Sequence, residues 1–247
     1  MDANLLKQAA DTIRNAHRVI AFTGAGISVE SGVPPFRGEN GIWANHDPSC
    51  LDLKVFNASP ETAWNELKVI FYDHFSIAKP NAAHLALAEM EKAGYLQGVI
   101  TQNIDYLHQK AGSKNVIEFH GSSQRLVCQT CGQSRQADEV DWAKLPPRCA
   151  DCNKVLKPDF VFFGESIPAL AHKHSSSETI MADVWLVIGT TGEVMPAASL
   201  PVDAKRNGKT IIEVNVCPSN YTSEVTDIYL EGKATEVLEA LMKALSS

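Results

Sequence analysis

Apolar residues along the chain fall into short continuous runs, which alternate with stretches of helical spacing. Each run resembles a strand that is buried on both faces. The predicted strands cover residues 19–23, 99–101, 116–119, 160–163, 184–188 and 210–214. Between them, apolar residues recur every three or four positions, as at Leu5, Ala9 and Ile13. The alternation predicts an α/β fold, a Rossmann-like doubly wound parallel sheet.

Two segments interrupt this alternation. The first runs over about 35–79 and is predicted to be helical after a loop at 33–50, and the second, 122–157, holds four cysteines and paired prolines. The predicted helices cover residues 5–16, 52–57, 60–75, 81–93, 105–111, 168–182, 195–207 and 233–245. We therefore predict one domain with two lobes. The large lobe would comprise 1–34, 80–121 and 158–247, and the small lobe 35–79 and 122–157.

Composition and charge limit the partners of the protein. The chain has 247 residues, of which 45% are hydrophobic, and this suits a well-buried core. Its formal net charge of −7 argues against affinity for nucleic acid or an anionic membrane surface. No apolar run is long enough to span a membrane, and residues 1–7 lack the features of a secretory signal. We expect a cytoplasmic protein with no membrane partner and no direct nucleic-acid binding.

The segment after the first predicted strand begins like a dinucleotide-binding turn and then departs from that pattern. Gly24, Ala25 and Gly26 follow the strand directly, as in a phosphate-binding turn. Val29 occupies the position of the third glycine, and no second strand with a terminal acidic residue follows about 20 residues later. A loop rich in glycine, proline and aromatic residues takes its place. The segment predicts a nucleotide site without the ribose anchor of a dehydrogenase.

The four cysteines of the second segment form two C-x-x-C pairs. Cys128 and Cys131 are separated from Cys149 and Cys152 by 17 residues, a spacing that fits one tetrahedral zinc ion. Because protein would fill all four positions, the metal would be structural. Disulfides, which a cytoplasmic setting disfavours, and four unrelated thiols are the alternatives. A further alternative is a zinc ribbon that binds nucleic acid, but the segment has too few basic residues to favour it.

Polar or small residues follow the predicted strands, and open α/β sheets bind ligands beyond the carboxyl ends of their strands. Taken singly, these residues have structural explanations: Asp105 as a helix N-cap, His120 as a half-buried imidazole, Asn215 as a turn residue. Their common placement predicts a shared site instead. Its members would be Gly24, Ala25, Gly26, Gln102, Asn103, Ile104, Asp105, His120, Gly121, Gly164, Glu165, Gly189, Thr190, Thr191 and Asn215.

The chain resembles the sirtuins, which are NAD-dependent protein-lysine deacylases, over nearly its whole length. The resemblance rests on motifs in a specific order: residues 24–28, 35–38, 101–105, 120–121, the four cysteines, 157–158, 162–165, 189–191 and 196–198. The resemblance includes no long terminal extension, so it implies a chain that consists of the catalytic core alone. It also implies that the acyl group of acyl-lysine proteins or peptides passes to ADP-ribose, with release of nicotinamide, and that one structural Zn²⁺ is present.

The resemblance also implies roles for individual residues. His120 would be the general base, a role that suits an imidazole with a pKa near 6.5, and Asn103 and Asp105 would line the nicotinamide pocket. The implied NAD contacts are Gly24, Ala25, Gly26, Ser28, Phe36, Arg37, Trp43, Gln102, Asn103, Ile104, Asp105, Gly189, Thr190, Thr191, Asn215, Val216, Cys217 and Ala234. The implied substrate contacts are Phe163, Gly164, Glu165, Gly192, Glu193 and Val194.

The acyl group and two competing functions can be weighed on the same residues. Relatives that remove succinyl or malonyl groups carry a Tyr-x-x-Arg pair, whereas here Tyr72 is followed by Phe75. The resemblance therefore implies acetyl and other uncharged acyl groups as substrates.

A mono-ADP-ribosyltransferase would also cleave NAD, but the implied substrate contacts, which form a groove for an extended peptide, favour deacylation. The presence of His120, Asn103 and Asp105 argues against a non-catalytic NAD- or zinc-binding module.

Overall fold

The computed structural model describes residues 2–35 and 41–246, so Phe36 and Arg37 lie outside the described residues. Nine strands occur in the described ranges: β1 (Val19–Thr23), β2 (Gly98–Thr101), β3 (Val116–Glu118), β4 (Gly121–Cys128), β5 (Ser134–Gln136), β6 (Leu156–Phe160), β7 (Val184–Ile188), β8 (Thr210–Asn215) and β9 (Ile228–Glu231). Six of them form a large parallel sheet in the order β3-β2-β1-β7-β8-β9. The strand order reverses between β1 and β7, which confirms the predicted doubly wound sheet.

The large sheet is buried because helices cover both of its faces. The described helices are α1 (Ala3–Asn15), α2 (Ile42–Asn45), α3 (Leu53–Ala58), α4 (Pro60–Leu67), α5 (Asp73–Ile77), α6 (Ala82–Lys92), α7 (Leu107–Ala111), α8 (Ala169–Met181), α9 (Ser199–Arg206) and α10 (Ala234–Ser246). Helices α1, α6 and α10 pack on one face, and α8 and α9 on the other. Every residue of β1 and β7 is buried, as their continuous apolar runs predict.

The other three strands form a small antiparallel sheet in the order β5-β4-β6. Its apolar side packs against α3 to α5 in one aromatic-rich cluster. Trp64 is fully buried at the centre and donates from Nε1 to the carbonyl oxygen of Leu156 at 2.8 Å. Phe56 and Phe162 meet edge to face, with their ring centroids 5.4 Å apart. The helical insertion and the cysteine-bearing segment therefore share one core.

Several predicted boundaries differ from the structure. Residues 33–50 are not entirely loop, because α2 and a 3₁₀ turn at Pro48–Leu51 form there, the latter with Asp47 accepting from the Ser49 N–H. The helix predicted over 105–111 begins only at α7, since Tyr106 adopts a left-handed φ of 65°. The helix predicted over 60–75 is interrupted by a π-helical turn at Lys68–Tyr72.

The strand predicted over 160–163 is displaced, because β6 ends at Phe160. Phe163 then leaves the small sheet and pairs with another segment: its N–H donates to the Leu51 carbonyl at 2.7 Å, and its carbonyl accepts from the Leu53 N–H at 3.1 Å. Strands β4, β5 and β9 were not predicted. β4 is rich in polar residues, and its burial comes from packing against the aromatic cluster rather than from its own sequence.

Candidate functional site

The first element of the site is the close approach of the chain segments that follow β1 and β7. The Gly24 N–H donates to the Ile188 carbonyl at 3.0 Å, and the Gly26 N–H donates to the Gly189 carbonyl at 2.8 Å. A Cβ atom on Gly26 would lie 2.7 Å from Gly189 Cα, so neither backbone leaves room for a side chain there. This contact sits at the reversal of strand order, where doubly wound sheets bind ligands.

A hydrogen-bonded group of three buried side chains forms one wall of a pocket beside this contact. Asn103 donates from Nδ2 to the Gly24 carbonyl and to Ser28 Oγ, both at 3.1 Å. Ser28 Oγ in turn donates to Asp105 Oδ2 at 2.7 Å, and Asp105 Oδ1 accepts from the Leu107 N–H at 3.0 Å. Burial raises the pKa of Asp105, although these hydrogen bonds oppose the shift. The wall is polar and fixed in position.

The opposite wall of the pocket is apolar and comes from the first insertion. Phe71 and Phe75 follow α4, and Ile42 begins α2. Together with the polar wall, the described lining is Ala25, Ser28, Val33, Pro34, Ile42, Phe71, Phe75, Asn103, Ile104 and Asp105. Such a pocket can orient a small polar group at one end while its other side excludes water.

Two histidines that the sequence prediction missed lie behind the polar wall. His84 and His108 are buried, with ring centroids 4.9 Å apart. His84 Nε2 lies 3.4 Å from Ser28 Oγ, and His108 Nε2 lies 2.9 Å from Thr23 Oγ1. Burial lowers the pKa of His84 to about 4 and that of His108 well below its ordinary value. The capping box of α6, in which His84 pairs with Asn81, was the available sequence signal.

His120 follows β3, and its ring is oriented by the neighbouring strand end. Its Nδ1 lies 2.9 Å from the Gln102 carbonyl oxygen. Because a carbonyl can only accept, Nδ1 carries the proton in the neutral ring, and Nε2 keeps its lone pair. Burial lowers the pKa of His120, although the hydrogen bond to Gln102 opposes this. A neutral imidazole with an available Nε2 can act as a base.

The ends of β2, β7 and β8 are tied together by amide side chains. Gln102 donates from Nε2 to Thr190 Oγ1 at 3.1 Å, and Asn215 donates from Nδ2 to the Thr190 carbonyl at 3.0 Å. The next residue, Thr191, accepts at its carbonyl from the Asn220 N–H at 3.1 Å. These contacts bring the predicted cofactor residues of three strands to one edge of the sheet.

The predicted substrate residues lie in two exposed segments. Phe163 and Val194 are 57% and 39% exposed, and Gly164 has a φ of 92°. The Glu193 side chain is exposed as well. Glu165 differs from the others, because its carboxylate accepts from the Phe162 N–H at 2.8 Å and pairs with Lys157 Nζ at 2.9 Å.

The four cysteines of the second segment converge at one end of the small sheet. Three of their Sγ–Sγ distances are 3.5, 3.6 and 3.7 Å, and all four sulfur atoms lie within 4.8 Å of one another. Zn–S bonds of about 2.3 Å in a tetrahedron place sulfur atoms about 3.8 Å apart. All six cysteines of the chain are free thiols. The cluster could therefore bind one zinc ion, as the spacing predicts.

A family model described as the Sir2 family matches residues 24–196, more than half of the chain. The chain belongs to the Sir2 family. This confirms the resemblance to the sirtuins. The NAD-dependent protein deacylase of Pyrococcus furiosus is 41% identical over 247 residues, with 98% of each chain covered. NAD-dependent protein deacetylase 1 of Pyrobaculum aerophilum is 42% identical, covering 97% of this chain and 94% of the relative.

Solved structures of Sir2 proteins share the fold. One of them, determined with a deacetylated peptide and 3'-O-acetyl ADP-ribose, has a TM-score of 0.91 and 34% identity, covering 96% of this chain and 97% of that chain. In this Sir2-family chain, five of the predicted NAD contacts line the pocket, namely Ala25, Ser28, Asn103, Ile104 and Asp105. Three others lie far from it along their elements: Val216 and Cys217 are exposed after β8, and Ala234 begins α10. Trp43 packs against the aromatic cluster. Among the described helices, none has both the length and the apolarity to span a membrane.

Proposed function

We propose that this Sir2-family chain is an NAD-dependent protein-lysine deacylase that removes acetyl groups. One observation carries the proposal most directly. The buried group of Asn103, Ser28 and Asp105 lies at the same sheet edge as His120, whose Nε2 is available as a base. The similarity to proteins named NAD-dependent protein deacylase and deacetylase supports it.

The residues at this edge fit NAD. The close backbone approach at Gly26 and Gly189 keeps side chains away from the sheet edge at which the diphosphate would bind. Asp105 uses each carboxylate oxygen for one hydrogen bond, and each can accept a second one, as a carboxamide NH₂ would require. When bound, NAD would supply the ADP-ribose that accepts the acyl group and the nicotinamide that departs.

We assign the chain's own groups as follows. Asp105 and Asn103 orient the carboxamide, and the apolar wall at Phe71 and Phe75 excludes water from the pocket. His120 takes a proton at Nε2 from a ribose hydroxyl, while its Nδ1–H stays on the Gln102 carbonyl. A full shell of four thiolates leaves the zinc no open position, so it stabilises the small sheet and takes no part in the reaction.

The remaining assignments concern substrate and location. We propose that an extended acyl-lysine peptide binds between the segment at 163–165 and the segment at 192–194, adding a strand through backbone hydrogen bonds. A net charge of −7 supports the absence of direct nucleic-acid binding. Six free thiols are consistent with a reducing, cytoplasmic location.

One experiment separates this function from its two competitors. The protein is incubated with NAD and an acetyl-lysine peptide, and nicotinamide and peptide mass are followed together. A deacylase removes one acetyl group for each nicotinamide released. Nicotinamide release with the acetyl group retained and ADP-ribose attached to an acceptor indicates a mono-ADP-ribosyltransferase. The absence of both products, with NAD binding retained, indicates a binding module.

A further inference from the structure

Lys157 is a buried lysine that no step of the proposed reaction uses. It lies in β6, and its side chain is only 7% exposed. Its Nζ donates to the Pro158 carbonyl at 2.8 Å and to the Phe160 carbonyl at 2.7 Å, and it lies 4.1 Å from the centroid of the Phe162 ring. The ammonium group therefore gathers the backbone at the end of β6 around itself.

Glu165 closes this arrangement from the other side. Its Oε2 lies 2.9 Å from Lys157 Nζ and also accepts from the Phe162 N–H at 2.8 Å. The Glu165 N–H donates to the Phe162 carbonyl at 3.0 Å. Both polar groups of the Phe162 backbone are thus bound to Glu165, and Glu165 is bound to Lys157. The segment from 157 to 165 forms a closed turn around one ion pair.

The turn presents Phe163 and Gly164 at the surface. The Phe163 backbone is held on its far side by residues 51–53 of the first insertion, through the Leu51 carbonyl and the Leu53 N–H. Its side chain is 57% exposed. A Cβ on Gly164 would meet no atom within 4 Å, so this edge of the turn is open.

We propose that the Lys157–Glu165 ion pair positions the turn at 162–164 for binding of the acyl-lysine peptide. The inference rests on the proposed function and deepens it. Lys157 and Glu165 are positioning residues: they hold the backbone that meets the peptide and do not themselves contact the peptide. Glu165, predicted from the sequence as a substrate contact, would thus act through Phe162.

The chemistry of the pair explains why both members are needed. Burial lowers the pKa of Lys157, whereas the hydrogen bond and charge of Glu165, together with the charge of Asp159, oppose that shift and favour the ammonium form. Removal of Glu165 leaves the buried ammonium with the carbonyls of Pro158 and Phe160 but without an opposite charge. An apolar pair could fill the same volume, but it could not bind the carbonyls of Pro158 and Phe160 or the N–H of Phe162.

The test compares Glu165→Gln, Lys157→Met and the double variant. Positioning predicts that each single variant raises the KM for an acetyl-peptide roughly tenfold, the loss of about 1.4 kcal/mol of binding, with kcat at saturating peptide nearly unchanged. The rise should be equal for basic and neutral peptides. The double variant should raise the KM no more than either single one, since both act through one turn.

A matched control and a second readout make the outcome decisive. Arg125→Gln removes the exposed ion pair between Arg125 in β4 and Asp159 in β6, which is 2.7 Å long, and keeps the Asp159 carboxylate that favours the charged form of Lys157. It should leave the peptide KM unchanged. Peptide affinity is also measured by calorimetry, which reports binding even if wild-type protein shows no turnover and the proposed function fails. If Lys157→Met does not fold, Glu165→Gln alone decides. An unchanged peptide affinity in Glu165→Gln, or a loss confined to basic peptides, overturns the proposal.

Discussion

The two walls of the pocket differ in how they are built. The polar wall of Asn103, Ser28 and Asp105 belongs to the large sheet, where each side chain is buried and hydrogen-bonded to its neighbours. The apolar wall, with Phe71 and Phe75, belongs to the helical insertion and offers no ionisable group. The first wall can orient a polar group through hydrogen bonds, whereas the second can only exclude water and select by shape.

The support behind the two walls differs as well. The polar wall rests on strands that helices bury on both faces, so apolar burial supports those strands without a metal site. The apolar wall belongs to an aromatic cluster that extends through Trp64 to Cys128 and Cys149. The thiolate cluster therefore supports the wall that performs no chemistry. This difference predicts which changes will act through structure and which through the reaction.

Removal of zinc should have the largest effect. A structural zinc site contributes about 10–16 kcal/mol of apparent binding free energy, so Cys128→Ala or chelation should unfold the small sheet and abolish activity. Hydrogen exchange would show β4 and β6 losing protection while β1 and β7 keep it. Cys50→Ala, a buried cysteine outside the cluster, is the matched control and should retain zinc. Full activity in metal-free protein would contradict the inference that the metal site supports the apolar wall.

His120→Ala should act through the reaction and leave the structure intact. Loss of a general base costs about 10²–10⁴ in rate. The fold and zinc content should be unchanged, because among the described residues the ring hydrogen-bonds only to the Gln102 carbonyl. The measurement is kcat with zinc content and melting temperature. His174→Ala, on the exposed side of α8, controls for the loss of an imidazole. Near-normal turnover in His120→Ala would exclude it as the base.

The large sheet was more predictable than the small one for a physical reason. β1, β7 and β8 are continuous apolar runs, because both faces of each strand are buried, and their bounds were predicted within one residue. β4 reads Gly-Ser-Ser-Gln-Arg-Leu-Val-Cys, which carries no such pattern. Its pairing with β6 depends on tertiary contacts that a local pattern does not contain.

The sequence predicts the residues that line the site but not the buried layer behind them. The sequence places Asn103, Asp105 and His120 after strands, and the strand order then brings them to one edge. The buried layer beneath, with His84 and His108, comes from α6 and α7, and helical spacing alone does not distinguish it from core. The position of Glu165 was equally hidden, because its partner Lys157 lies within a strand whose start was predicted four residues too late.

The acyl group tests the apolar wall directly. Tyr72 cannot reach an acyl carboxylate, because its hydroxyl is buried and its ring lies 4.3 Å from that of Trp142. Lys68 is bound to Asp73 at 2.6 Å. We expect kcat/KM for an acetyl-peptide to exceed that for a succinyl-peptide about a hundredfold, the equivalent of about 2.7 kcal/mol for burying an unpaired carboxylate.

The reciprocal variant makes this prediction sharper. Phe75→Arg places a guanidinium in the apolar wall. It should reduce the ratio of kcat/KM for the acetyl-peptide to that for the succinyl-peptide, because an arginine can pair with a carboxylate through two hydrogen bonds. Phe75→Leu is the control, since it shortens the side chain without adding charge and should keep the acetyl preference. A wild-type preference for succinyl-lysine would show that some group in the pocket compensates the carboxylate.

The smallest effect concerns the buried layer behind the polar wall. The pKa of His84 is lowered to about 4 by burial, so the folded protein keeps this ring neutral where the unfolded chain, with a pKa near 6.5, takes up a proton. The unfolded state therefore binds more protons below pH 6.5, and stability falls as the pH drops toward 4. Between pH 7 and pH 5 one such imidazole removes about 2 kcal/mol of unfolding free energy.

In urea unfolding, His84→Gln should reduce the pH dependence of the unfolding free energy by that amount. His174→Gln should not, and zinc release at acid pH affects all three proteins alike. Parallel curves for wild type and His84→Gln would show that His84 is protonated in the folded state, so that the polar wall rests on a charged layer.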